Sequence, residues 1–306
     1  MESDKTVLIT GASTGIGLAT ARALCGTKYR VILTARQSSL PRFAAHAIEE
    51  SSHVRIRPLD VTKPEERAAV LAEAERDWGG VDVLVNNAGV SYRAVVEHVL
   101  EEERLTQMNV NFRSPMEMVR LVLPGMREKR AGRIVTISSV GGMMAMPTMA
   151  VYSASKFALE GAHEALWYEV RPWGIRVTLV QPGFVDSDGF QKVRYTEQSD
   201  RSEHEIAEPY HEHYVNMSPF IAKLMRMSRA TPDSVASVVI KTLRHRRPPL
   251  RVPATMDARV FAWLRRILPR STYHWLLYQM LPKVAMWGPS EKRISALPKP
   301  VDDSKR

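Results

Sequence analysis

Six short runs rich in Val, Ile and Leu punctuate the first 183 residues, and segments of helical length separate them. The runs are TVLIT (6–10), RVILTA (30–35), VRIRPLDV (54–61), VDVLVNNAG (81–89), GRIVTISS (132–139) and IRVTLVQPG (175–183). Each is bounded by Gly, Pro, Asn or Asp, as buried strands are. Residues Glu65–Trp78, Leu100–Lys129 and Ser153–Arg171 carry helical spacing between them. Strands that alternate with helices must join through right-handed crossovers, which predicts an α/β fold with a doubly wound parallel sheet flanked by helices. ATPDSVASVVIKTLR (230–244) reads as a further helix, with Thr231 as N-cap and Pro232 in the first turn, and LRVP (250–253) as a last strand.

Charge excludes one class of function. The net charge is +10, but residues 244–306 hold 14 of the 43 basic and 4 of the 33 acidic residues. Residues 1–243 therefore balance to zero, and nucleic-acid binding by the main domain has no compositional support. Cys25 is the only cysteine, so neither an intrachain disulfide nor a cysteine-rich zinc site is possible. The acidic opening MESDKTVLITG runs straight into a strand and does not read as a secretory signal. No apolar run reaches the roughly 18 residues of a spanning helix, so a cytoplasmic protein is expected.

The first strand leads into TGASTGIGLATARAL, with Gly11, Gly15 and Gly17. A strand, a glycine turn and a helix N-terminus make an anion site, because small residues admit a close approach and unpaired N–H groups face the ligand. A pyrophosphate, hence a dinucleotide, is the expected guest, with Ser13 and Thr14 as added donors. The second strand ends LTARQ, where an acid would hold a ribose 2′-hydroxyl and an arginine a 2′-phosphate. Arg36 stands there without an acid, which favours NADP(H) over NAD.

VYSASKFALEG (151–161) sets Tyr152 and Lys156 one helical turn apart. Alone, that spacing is common and fits an amphipathic helix end with a snorkelling lysine. Other motifs converge on it. TGASTGIG, NNAG (86–89), ISS (137–139), YSASK and PG (182–183) occur in this order at expected strand ends. Together they resemble the short-chain dehydrogenase/reductase family over residues 6 to about 255, and SVGGMMAMPTMAVYSASKFALEG is similar to its steroid- and retinol-converting branch.

That resemblance implies a Rossmann-type NADP-dependent enzyme acting on CH–OH and C=O groups, as a carbonyl reductase or hydroxysteroid dehydrogenase-like protein of lipid metabolism. Tyr152 would be the acid or base on the substrate oxygen. Lys156 would bind the nicotinamide ribose and lower the tyrosine pKa. Ser139, chosen over Ser138 by its distance from Tyr152, would polarise the oxygen. Asn111, with Asn109 as its rival, would position a relay water. The cofactor would lie along Gly11, Ser13, Thr14, Gly15, Ile16, Gly17 and Arg36, then Asp60, Val61, Asn87, Ala88 and Gly89, and finally Tyr152, Lys156, Pro182, Gly183, Val185 and Ser187.

The chemistry agrees with those roles. A phenol of pKa near 10 is a poor base at neutrality. An ammonium nearby can lower an acid's pKa by roughly 1–3 units, and i, i+4 residues share a helix face. A serine hydroxyl can then stabilise charge on the substrate oxygen.

Residues 188–229 form a long excursion past the strand ends, where a ligand crevice lies. Met217, Phe220, Ile221, Leu224, Met225 and Met227 are expected to form an apolar lid, with Met143, Met144 and Met146 on the same wall. Methionine-rich walls suit bulky apolar ligands, so a lipophilic ketone, aldehyde or alcohol is the expected substrate. His204, His211 and His213 read as exposed loop residues. Residues 256–289 hold two amphipathic segments for which three fates stay open: closing the pocket, a subunit contact, or peripheral membrane contact. The tail from 290 is expected to be mobile, and the family resemblance implies a homodimer or homotetramer. Three rival functions stand beside the main one: an NAD-linked dehydrogenase, a non-catalytic cofactor-sensing protein on the same fold, and a membrane-surface binding module driven by the basic C-terminus.

Overall fold

The protein was analysed as a computed structural model that describes residues 5–186 and 193–288. Seven parallel strands, β1 (Thr6–Ile9), β2 (Arg30–Ala35), β3 (Val54–Pro58), β4 (Val83–Asn86), β5 (Gly132–Ile137), β6 (Ile175–Gln181) and β7 (Arg251–Pro253), form one sheet in the order β3-β2-β1-β4-β5-β6-β7. All six apolar runs and the expected last strand are present, at the predicted places. The order reverses between β1 and β4, which opens a crevice beyond their C-terminal ends.

Alternation along the strands divides the core. Val7, Ile9, Val31 and Leu33 face Leu18, Ala21 and Leu24 of α1 (Gly15–Leu24) and Val235, Val239 and Leu243 of α9 (Pro232–Arg244). Leu8, Ile32, Leu84 and Ile134 face the other way. They meet Val70 and Ala74 of α3 (Pro64–Trp78), Met118 and Met126 of α5 (Ser114–Glu128) and Leu166 and Val170 of α6 (Ala150–Val170). Full burial of each such side chain stabilises by about 1.5–3 kcal/mol. The short helix α2 (Pro41–Ala45) follows β2.

Local chemistry sets the helix ends. Thr231 caps α9 as expected: its Oγ1 accepts the Ser234 N–H at 3.2 Å, while Ser234 Oγ accepts the Thr231 N–H at 3.1 Å. Helix α3 starts at Pro64, carries Glu65 and Glu66 in its first turn, and stops at Gly79 with φ +70°.

The single helix expected over Leu100–Lys129 is interrupted. It divides into α4 (Glu101–Met108), a π turn over Asn109–Arg113, and α5. Pro115 has no N–H, so it cannot give the Asn111 carbonyl its i+4 partner. Ser114 Oγ instead donates to the Asn109 carbonyl at 2.7 Å.

The excursion before α9 contains α7 (Glu197–His204) and α8 (His211–Ser228). Two helices follow β7, α10 (Met256–Ile267) and α11 (Arg270–Gln279). They pack inward through Ala258, Phe261, Leu264, Leu268, Tyr273 and Leu277.

Candidate active site

The glycine turn is built for close backbone approach. Gly11 and Gly15 have φ of +64° and +54°, which few side chains tolerate. A methyl on Gly17 would overlap the Asn87 amide and the Gly11 carbonyl. The Asn87 side chain donates to the carbonyls of Thr10 (3.0 Å) and Gly11 (2.9 Å), while the N–H groups of Asn87 and Ala88 donate to Thr10 Oγ1. The turn is thereby tied to β4. Helix α1 then starts with no acid in its first turn and no side-chain cap at Thr14, and Ser13 is buried beside it. First-turn N–H groups of a helix lack intrahelical acceptors, so this cradle fits a pyrophosphate.

On the far side of the glycine turn, Arg36 is exposed at the C-terminal end of β2. Asp60 Oδ1 accepts from the Thr62 N–H (3.0 Å) and hydroxyl (2.7 Å). Burial pushes the Asp60 pKa up, but those bonds and the cations Lys63 and Arg36 outweigh it, so the carboxyl stays below its usual range. Val61 is buried next to it.

The reactive groups converge where β5 and α6 meet. Lys156 Nζ donates to the Ile137 carbonyl at 2.9 Å and lies 5.8 Å from the Tyr152 ring centroid. Ser139 Oγ accepts the Gly141 N–H at 3.0 Å, and the Tyr152 ring packs against the same glycine. Ser138 points elsewhere, its buried hydroxyl facing Gly142 without a partner among the described residues. Asn111 is buried, with Oδ1 accepting from the Val90 N–H and Nδ2 donating to the Val90 carbonyl, both at 2.8 Å, and to Ser155 Oγ at 3.0 Å. Ser155 Oγ in turn donates to the Tyr152 carbonyl at 2.7 Å, so Asn111 braces the turn of α6 that carries Tyr152. Gly89 packs against the same amide.

Burial corrects one expectation. Desolvation pushes the Tyr152 phenol above its ordinary pKa and outweighs the lowering influence of Ser139. The same burial lowers Lys156 to about 8, with Glu160 acting to raise it. In the protein alone, therefore, burial decides the direction and the phenol's net shift is upward. Both groups sit in a low-dielectric pocket, which disfavours the charged form of each. Glu160 is itself buried, accepting from Gln181 Nε2 (3.0 Å) and Arg251 Nε (2.7 Å).

Beyond β6, the Pro182 carbonyl accepts the Val140 N–H at 2.8 Å, and Val185 is buried. The Gly183 N–H donates to Thr255 Oγ1 (2.9 Å) and the Phe184 N–H to Asp257 Oδ2 (2.7 Å), so the first turn of α10 clasps this loop. Ser187 lies outside the described residues.

Met217, Ile221 and Met225 of α8 are buried with Met149 and Phe184, and Phe220, Leu224, Met146, Tyr152 and Phe261 join them. Met227 faces solvent at 65% exposure and is no part of that wall. Met143 and Met144 also depart from expectation. They pack against Ala258 and Tyr273 of the C-terminal helices, because the turn after Ser139 points them away from α8. The three histidines are helical, not loop residues, His204 in α7 and His211 and His213 in α8, and the His213 ring packs 4.6 Å from that of Trp287. A cavity of about 430 Å³ opens beside the start of α6, lined by Val95, Val96, Pro147, Thr148, Tyr210 and His213 among others. A larger one, about 730 Å³, lies near Gly80, Gly125 and Trp173, where none of these reactive groups stands.

Two site residues escape sequence reasoning. A methyl on Gly141 would lie 2.9 Å from Tyr152 Cε1, so this glycine makes room for the phenol beside Ser139. Asp257 acts on a loop more than seventy residues away, and no local signal marks it. Thr148, with φ +63°, holds a sparsely populated conformation four residues before Tyr152.

The short chain dehydrogenase family model matches residues 5–198, and the chain belongs to that family. It is therefore an oxidoreductase of CH–OH and C=O groups on a fold that uses nicotinamide cofactors. It is 36% identical over 245 residues to 3-ketodihydrosphingosine reductase of Bacteroides thetaiotaomicron, covering 80% of this chain and 86% of that one. It is 34% identical over 256 residues to human retinol dehydrogenase 8, covering 81% and 80%, consistent with the retinol dehydrogenase-like branch. Among solved structures, a short-chain dehydrogenase from Streptomyces avermitilis superposes with a TM-score of 0.74 at 30% identity, covering 90% of this chain and 97% of that one. ElxO with NADP bound gives 0.61 at 26% identity, covering 78% and 90%.

Proposed function

We propose that the protein is an NADP(H)-dependent oxidoreductase that interconverts a ketone or aldehyde and the matching alcohol on a lipophilic substrate. The observation that carries this reading is the Tyr152 ring set beside Ser139 and Gly141 on one side and packed with Met149, Phe184, Met217 and Phe261 on the other. The cradle at Gly11–Gly17 and the acid-free start of α1 fit a dinucleotide phosphate, and Arg36 without an acid favours the 2′-phosphorylated form. The relatives, a 3-ketodihydrosphingosine reductase and a retinol dehydrogenase, agree with an apolar substrate.

Bound cofactor supplies or accepts the hydride at the substrate carbon. The chain's own residues handle the oxygen. Ser139 Oγ already accepts from Gly141, which leaves its O–H proton to donate to a substrate oxygen. On reduction, Tyr152 gives its proton to that oxygen; on oxidation, its phenolate takes the proton back. Lys156, held at the end of β5, stabilises the phenolate while it is charged. The buried wall excludes water and orients an apolar body.

The test is consumption of NADPH and of NADH with steroid, retinoid, long-chain and small polar carbonyls, run beside Tyr152→Phe. NADPH-preferring turnover of an apolar carbonyl that falls at least about 100-fold in the variant supports the reading. Turnover of small polar carbonyls alone, or a variant as active as the parent, overturns it.

A further inference from the structure

The C-terminal helices are apolar on more than the face they bury. On α10, Ala258, Phe261 and Leu264 point inward. Met256, Val260, Trp263 and Ile267 follow one another at steps of four, three and four, which is a single helix face, and they are 45–69% exposed. On α11, Trp275 and Tyr278 lie one turn apart at 62% and 53% exposure, while Tyr273 is buried. So large an exposed apolar set on two adjoining helices marks an interaction surface.

Charge selects the partner. Arg259, Arg265, Arg266 and Arg270 are all exposed on the same two helices. Asp257 is the only carboxylate between 256 and 288, and it is turned inward onto the Phe184 N–H. A second copy would set arginines against arginines with no acid between them, which penalises a symmetric contact. An anionic lipid surface satisfies both halves of the pattern. Its headgroups neutralise the arginines, and its acyl boundary receives the aliphatic and aromatic side chains.

We infer that α10 and α11 dock on a membrane surface that contains anionic lipid. No described helix is long and apolar enough to cross a bilayer, so the attachment lies along the interface. The inference does not rest on the substrate proposed above. It has a geometric corollary, since Phe261 on the inner side of α10 belongs to the cluster around Tyr152. Docking brings that cluster within roughly one helix diameter, about 10 Å, of the lipid.

The test is co-sedimentation of the full-length protein with phosphatidylcholine vesicles, with and without phosphatidylserine. Binding is expected only to the anionic vesicles and should weaken as salt rises. The doubly substituted proteins Trp263→Ser/Trp275→Ser and Arg259→Glu/Arg266→Glu should each bind at least about tenfold less, with circular dichroism and melting temperature unchanged. Failure of the parent to bind either vesicle, equal binding to both, or full binding by the two variants overturns the inference. So does a parent dimer in sedimentation velocity that the same substitutions dissociate, which would make a second copy the occupant.

Discussion

Lys156 Nζ hydrogen-bonds the main-chain oxygen of Ile137 at 2.9 Å, two residues before Ser139. A buried cation thus ties the helix that carries Tyr152 to the strand end that carries its serine partner. The bond fixes α6 against the end of β5, and with it the placement of Tyr152 relative to Ser139. It also makes the charge state of Lys156 part of the site's geometry.

Since burial lowers Lys156 to about 8, the ammonium discharges in the alkaline range and its attraction for cofactor and phenolate goes with it. The kcat/KM for NADPH, which reports the free enzyme, should fall above pH 8 or so. Glu160 acts to keep the lysine charged, so Glu160→Gln should move that limb to lower pH. A profile flat over roughly pH 7 to 10 in both proteins would contradict the assignment.

Gly141→Ala places a methyl 2.9 Å from Tyr152 Cε1 and 3.4 Å from Ser139 Oγ. The phenol must shift by a fraction of an ångström, and misplacement on that scale costs about 10- to 100-fold in kcat. Cofactor affinity should stay within about threefold, because the phosphate cradle is elsewhere. Steady-state kinetics alongside a fluorescence titration separates the two quantities.

Arg36→Ala should weaken NADPH binding by roughly 10- to 100-fold, the loss of one charge-assisted contact, and leave NADH nearly unchanged. Titration of both cofactors by intrinsic fluorescence measures this directly. Equal losses for the two would mean that Arg36 serves the loop and not a 2′-phosphate.

His163 predicts the acid side of the stability curve. Its Nδ1–H donates to the Leu159 carbonyl (2.9 Å), so Nε2 must accept the Thr136 hydroxyl (2.8 Å), and the ring is held neutral. Burial is the main cause of its lowered pKa, about 4. The unfolded chain binds a proton near pH 6.5 and the folded one does not, so stability is full above 6.5 and declines as pH falls toward 4. The loss amounts to about 3 kcal/mol at most. Melting temperatures at pH 7 and pH 5 should differ less in His163→Gln than in the parent.

The strands were legible because buried parallel strands carry unbroken apolar runs, and each run ends in residues that stop a strand. Ser139, Tyr152 and Lys156 were legible as a group because they lie on two adjoining elements in fixed order. The π turn at Asn109–Arg113 was not, since apolar spacing runs through it undisturbed and Pro115 alone hints at the break. Met143 and Met144 misled because nearness to Tyr152 in sequence does not say which way a turn faces. The phenol's raised pKa needs burial, which only the assembled structure supplies.

A methyl on Gly183 would overlap the Asp257 carboxylate that holds the Phe184 N–H. A side chain at either position therefore constrains the other. A chain that gains any side chain at 183 must first surrender the carboxylate at 257 or move α10, so Gly183→Ala should be rescued in part by Asp257→Gly and by no change elsewhere in the loop. Homologues built on this plan should exchange the two positions together.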